Sequence, residues 1–158
     1  MAVTPATLPC EGGKTCPVQY GAMCWRMHRG KIEVLLITSR DTGRWVIPKG
    51  WPMNGREASE AAAQEAWEEA GVRGEVTADS LGIFGYDKVL GPKKAVACQV
   101  EVFPLRVHEL QDNFPERKQR RRKWFAAKKA ATKVNEPELR QLLKDLPGLL
   151  PKQPLAQA

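Results

Sequence analysis

GWPMNGREASEAAAQEAWEEAGV, residues Gly50–Val72, carries more information than the rest of the chain together. Glu65, Glu68 and Glu69 fall at spacings i, i+3 and i+4. At about 100° per residue they share one arc of a helix. Ala63, Ala66, Trp67 and Ala70 fall on the opposite arc, an apolar back to bury. Gly71 stops the helix, and Gly50 and Gly55 precede its first turn. Three carboxylates on one face repel one another and gain a fold nothing unless a cation sits between them. Hard divalent ions take oxygen ligands and commonly bridge to substrate phosphates. The small side chains of Ala61 and Ala62 are expected to leave room above the helix for metal and substrate. A merely solvated acidic face is the alternative, and the flanking glycines argue against it.

Outward from this helix, the pattern alternates strands and helices. Residues 1–16 are rich in Pro, Gly and Thr and are expected as a loose tail. Gln19–Met27 and Ile32–Thr38 are apolar runs joined by the turn His28-Arg29-Gly30-Lys31. Arg44–Ile47 is a short strand stopped by Pro48. Val76–Tyr86 and Ala95–Val107 read as strands separated by a polar loop, Asp87–Lys94. A loop over Phe114–Gln119 leads to a strand at Arg122–Ala126 and a helical turn at Lys128–Ala131. Asn135 is expected to cap a helix through Leu146, with Glu138 as its capping-box partner. Leu139, Leu142, Leu143 and Leu146 form one stripe for core or dimer contact. The tail from Pro147 is expected to be flexible. The fold class is therefore α/β, one domain over residues 17–146 between two flexible tails, 1–16 and 147–158.

At 158 residues the chain can bury about two-thirds of its unfolded surface. No segment approaches the ~20 apolar residues of a membrane span, and the N-terminus lacks an apolar signal region. The expected setting is cytoplasmic, with no membrane partner. Cys24 and Cys98 fall in apolar strand patterns as small core residues. Cys10 and Cys16 could pair, but a reducing cytosol favours free thiols. His28 and His108 lack a Ser/Asp or Cys partner in any triad arrangement. Net charge is +7, and nine Lys or Arg against one acid lie between Glu116 and Lys133. Such a run can face a polyphosphate, a nucleic acid or solvent. The polyphosphate reading is favoured, because Trp124 and Phe125 end the run as strand core rather than as stacking platforms.

The segment Gly50–Val72 resembles the Nudix box: Gly, five residues, Glu, seven residues, then Arg-Glu-aliphatic-x-Glu-Glu-x-Gly-aliphatic. Gly50 opens it and Gln64-Glu65-Ala66-Trp67-Glu68-Glu69-Ala70-Gly71-Val72 closes it in register. There are two departures: Arg56 holds the early Glu position, with Glu57 beside it, and Gln64 replaces the box arginine. That arginine normally orients a ligand glutamate and pairs with the early Glu, so losing both leaves no unpaired charge. Arg56 is a candidate for the orienting role. Arg44-Trp45-Val46-Ile47-Pro48-Lys49-Gly50, Ser39-Arg40, Gly82-Ile83-Phe84 and Arg120-Arg121-Arg122-Lys123-Trp124-Phe125 resemble the diphosphoinositol polyphosphate phosphohydrolase branch, which also cleaves diadenosine polyphosphates. Val18-Gln19 stand where that branch usually carries basic residues.

The resemblance implies an α/β/α sandwich with a mixed sheet between helices, and hydrolysis of a phosphoanhydride with Mg²⁺ or Mn²⁺. Glu65 and Glu69 are the expected metal ligands, joined by the backbone carbonyls of Lys49 and Gly50. Glu68 is expected to bind a further ion or act as the catalytic base. Ser39, Arg40, Arg44, Lys93, Lys94 and Arg120 are the expected substrate contacts. Trp45 and Trp51 are expected to pack, though Trp51, on its loop, could stack on an adenine. The expected partner is a small polyphosphate, acting on a monomer or homodimer. RNA 5′-end pyrophosphohydrolysis and a non-catalytic binding module are the alternatives.

Overall fold

The computed structural model describes residues 7–150. Its order is β1 (Thr7–Cys10), β2 (Lys14–His28), β3 (Lys31–Thr38), β4 (Trp45–Val46), β5 (Lys49–Gly50), α1 (Ala58–Ala70), β6 (Val72–Val76), β7 (Gly82–Gly91), β8 (Lys94–Leu110), β9 (Arg122–Ala126), α2 (Ala127–Lys133) and α3 (Pro137–Leu149). The hairpin between β2 and β3 turns where expected. Arg29 and Gly30 take φ of 52° and 77°, the left-handed pair that suits the twist of a two-residue turn.

β2 is the axis of a mixed sheet. It runs antiparallel to β3, with Trp25 opposite Val34, and parallel to β8, with Val18 opposite Gln99. β6 and β7 both pair antiparallel with β8, and β4 and β9 with β3. Alternation along β2 sends Ala22 and Cys24 to one face and Met23 and Trp25 to the other. The first face packs under α1 through Ala62, Ala66 and Ala70. The second packs under α2 and α3 through Ala130, Val134, Leu139, Leu143 and Leu146. This is an α/β/α sandwich around a mixed sheet, and the leucine stripe serves its core.

Several expectations are corrected. Thr7–Cys10, assigned to a loose tail, pairs with β2, Leu8 opposite Cys16. Cys10 and Cys16 form a disulfide rather than free thiols. Residues 1–6 and 151–158 of the expected tails lie outside the described residues, and α3 continues through Pro147 to Leu149. The expected loop 87–94 is mostly strand, since β7 and β8 extend to a tight turn at Pro92-Lys93. Asn135 does not cap α3; Glu136 holds the N-cap position, and Glu138 instead accepts the Gly85 amide at 3.2 Å. Ala61 and Ala62 are fully buried, so they pack the core rather than open space above the helix. Cys24 and Cys98 are buried free thiols. No helix among the described residues is long and apolar enough to cross a membrane.

Candidate active site

α1 starts at a capping box: Glu57 accepts the backbone N–H of Glu60, whose side chain in turn accepts that of Glu57. It ends at Gly71, φ 69°, whose amide bonds back to Ala66 and Trp67. The Arg122 guanidinium closes the same end, donating to the Ala70 carbonyl at 2.7 Å and the Gln111 carbonyl at 2.8 Å. A helix fixed at both ends presents its acidic edge in one orientation. The buried stripe of α1 includes Glu69, so one glutamate of the three is drawn toward the core.

Glu65 and Glu69 line a cleft of about 490 Å³ between α1, the β4–β5 segment, β7 and the loop before β9. Their carboxyls hydrogen-bond to each other. Burial, and then that bond, push Glu69 up to about 9, and burial raises Glu65 as well. The pair therefore holds a proton between its two carboxyls. Two carboxylates this close cannot both ionise in a poorly solvated site unless a cation joins them. A Cβ placed on Gly50 would lie 2.3 Å from the Glu65 carboxyl carbon, so bare backbone meets the carboxylate directly. Carboxyl and main-chain oxygens are the donor set that Mg²⁺ or Mn²⁺ takes. Among the described residues, no group of three or more His, Cys, Asp or Glu side chains converges as a metal cage by side chains alone.

Of the other expected site residues, Ser39, Arg40, Arg44 and Arg120 also line the cleft. The Ser39 hydroxyl is hydrogen-bonded to that of Thr42, and Arg40 donates to Gln119 at 3.3 Å. Arg44 is bound at both guanidinium nitrogens by buried Glu136, at 2.8 and 3.4 Å, so it braces the wall rather than offering a free cation. Arg120, 11% exposed, donates to Glu116 at 2.9 Å and to the Thr38 carbonyl at 3.1 Å, and stands 3.6 Å from Glu69. Glu68 does not line the cleft, but its charge raises Glu65. Lys93 and Lys94 are not brought to the cleft; they are exposed at the far tip of the β7–β8 hairpin. Arg56 is exposed and also absent from the cleft wall. The cation beside Glu69 comes from Arg120 instead.

Sequence reasoning missed Gln19, Lys49 as a side chain, Tyr86, Lys88 and Glu116, all in the wall. The Tyr86 hydroxyl donates to Gln19. The Lys49 ammonium lies 4.8 Å over the Tyr86 ring, and its burial lowers it to about 8. Strand alternation from Phe84 through Tyr86 to Lys88 would have found Lys88, had the strand been carried past Asp87. Glu116 was visible as the single acid leading the basic run. Arg40, Arg44, Lys49, Lys88 and Arg120 share the wall with five carboxylates, Asp41, Glu65, Glu69, Asp87 and Glu116. With one proton held by the Glu65–Glu69 pair, the basic side chains slightly outnumber the ionised carboxylates before any ion enters.

Residues 17–146 match the family model of the NUDIX domain. The chain is 36% identical over 108 residues to Nudix hydrolase 12, mitochondrial, of Arabidopsis thaliana, covering 63% of this chain and 51% of that protein. It is 32% identical over 110 residues to human diphosphoinositol polyphosphate phosphohydrolase 3-alpha, covering 68% and 63%. The chain thus spans between about half and two-thirds of the length of these relatives. A solved binary complex of C. elegans Ap4A hydrolase matches with a TM-score of 0.61 at 23% identity, over 83% of this chain and 95% of that one, a likeness of fold. With the box glutamates on α1, the glycine against Glu65 and the mixed sheet beneath them, the match over residues 17–146 leaves one assignment: the chain belongs to the Nudix family.

Proposed function

We propose that this chain is a divalent-metal-dependent pyrophosphohydrolase, cleaving a phosphoanhydride bond in a polyphosphate such as a dinucleoside polyphosphate or a diphosphoinositol polyphosphate. The observation that carries the reading is the Glu65–Glu69 carboxyl pair, with Glu65 against Gly50, on the wall of a cleft that also holds five basic side chains. Glu65, Glu69 and the carbonyls of Lys49 and Gly50 would hold Mg²⁺ or Mn²⁺, which when bound neutralises phosphate charge and acidifies water. Glu68 is assigned the proton of the attacking water, from a position whose charge already acts on Glu65. Arg120 and Lys49 steady phosphate oxygens nearest the carboxyl pair, and Arg40 and Lys88 hold those farther along the chain. A Mg²⁺-dependent screen over dinucleoside polyphosphates, inositol pyrophosphates, nucleotide sugars and nucleoside triphosphates, with products identified by mass, tests it. Absence of any metal-dependent cleavage would overturn it and favour the non-catalytic binding module.

One observation favours a second reading, RNA 5′-end pyrophosphohydrolysis. Arg117, Lys118, Arg121 and Lys123 are exposed beside the cleft loop. Replacing these four with Ala should then abolish RNA binding and its steep salt dependence, with small substrates barely affected. A cytoplasmic setting remains the proposed one.

A further inference from the structure

We infer that Trp51, with Lys88 beside it, is a stacking platform that makes this cleft select polyphosphates carrying an aromatic base over polyphosphorylated cyclitols. The inference rests on the pyrophosphohydrolase reading and names the substrate class for that site. Trp51 is 44% exposed and contributes to neither apolar core. The other four tryptophans, Trp25, Trp45, Trp67 and Trp124, are buried or half-buried. A large apolar ring left in water costs free energy unless something covers it. Trp51 directly follows Gly50, the residue against Glu65, and lines the same cleft as the carboxyl pair. Met53 and Val89, the latter 65% exposed, continue the apolar rim. The Lys88 ammonium lies 5.9 Å from the ring centroid, where it can hold a phosphate attached to a stacked nucleoside.

Charge argues in the same direction. Of the five basic side chains in the cleft, Arg44 and Arg120 are already engaged by Glu136, Glu116 and Glu69, and carboxylates line the same wall. Gln19, uncharged and occupied by Tyr86, adds no cation. A cyclitol bearing phosphate at every position spreads a high charge on all sides of a ring with no π face. Such a ligand needs more free cations than this wall offers, and gives Trp51 nothing to cover. A linear polyphosphate ending in a purine nucleoside presents its charge along one line and a flat apolar face at one end.

The test compares Trp51→Ala and Trp51→Phe on diadenosine tetraphosphate, on tripolyphosphate and on a diphosphoinositol pentakisphosphate. Stacking of a base on an aromatic ring corresponds to roughly five- to 150-fold in affinity. Trp51→Ala should therefore raise KM for the dinucleotide by about tenfold to a hundredfold, leave tripolyphosphate unchanged, and be rescued to within a few-fold by Trp51→Phe. The wild type should also prefer the dinucleotide to the inositol pyrophosphate. Equal losses on the base-free substrate, no loss on the dinucleotide, or a wild-type preference for the inositol pyrophosphate would overturn the inference. Calorimetric titration of a methylene-bridged, non-hydrolysable diadenosine tetraphosphate decides the matter without turnover. If the protein cleaves nothing, Trp51→Ala weakening that binding upholds the platform while the hydrolase reading falls. Unchanged binding removes the platform.

Discussion

Gly50 and Glu65 meet without a side chain between them: a Cβ on the glycine would stand 2.3 Å from the carboxyl carbon of the glutamate. Gly50 does not need its glycine for backbone freedom, since its φ is not positive; it needs it for proximity. Gly50→Ala should displace Glu65 from Glu69. The overpacking should cost about 1–3 kcal/mol of stability. Turnover should fall by about two orders of magnitude, the scale of an ångström-sized misplacement. Thermal melts alongside kcat would check this, and a fully active alanine variant would mean that Glu65 has room the structure does not show.

Glu68→Gln and Glu69→Gln remove charge without changing shape. Each should lower kcat by about 10²-fold or more, the scale of acid–base and ligand groups. Glu69→Gln should also abolish Mn²⁺ binding measured directly, whereas Glu68→Gln should leave most of it. Near-native turnover in both variants would sink the assignment of α1 as the catalytic helix.

The pair also sets a dependence on pH. In the metal-free protein Glu69 keeps its proton up to about pH 9, against an ordinary value of 4.5. Across that window the folded state binds the extra proton, so this group's contribution to stability falls as pH rises. Lys49, lowered to about 8 from 10.5, acts in the opposite sense only above pH 8. The Tm of chelator-treated protein should thus decline from about pH 5 to 8. A metal ion must displace the shared proton to bind, so the gain in Tm from saturating Mg²⁺ should be larger at about pH 8 than at about pH 6. A gain that shrinks with pH would remove the shared proton.

Arg120 and Arg121 are neighbours in the basic run with different fates. Arg120 is nearly buried among Glu116, Thr38 and Glu69, while Arg121 is exposed. Truncating Arg120 leaves Glu116 short of its close cation, so Arg120→Ala should lower Tm, and kcat/KM by about tenfold or more. The loss should appear on a diadenosine polyphosphate and an ADP-sugar alike, rather than on the longer substrate alone. Arg121→Ala should change both by less than about twofold, as exposed positions do. Equal effects at the two positions would contradict the burial of Arg120 in the cleft wall.

The features legible in the sequence were those whose cause is local. The 3.6-residue period placed the glutamates of α1, Gly71 marked its end, and Arg29-Gly30 marked the hairpin. What stayed hidden depends on partners distant along the chain. Alternation within Arg120–Lys123 has no apolar member to fix its phase, so only pairing of Arg122 with Ile37 reveals that Arg120 turns to the cleft. Asp87–Lys94 reads as polar loop in the sequence, which hides Lys88. Its strand character comes from pairing with β8, Asp87 opposite Ala97. Asn135 looked like a cap by its type, yet the chain needed Glu136 there, buried, to hold Arg44.

That last contact makes the cleft depend on a part of the chain that supplies none of its wall. Glu136, at the N-cap of α3, holds Arg44, and Glu138, two residues on, holds the backbone of β7 at Gly85 beside Tyr86. No α3 residue lines the cleft, yet two of its walls are clamped from there. A shortened product ending before Glu136 would carry every residue of the signature segment and still lack the means to keep the opposing walls at their spacing. Inheritance of the box is therefore not inheritance of the enzyme, and the C-terminal helix belongs to the smallest unit that can be transplanted.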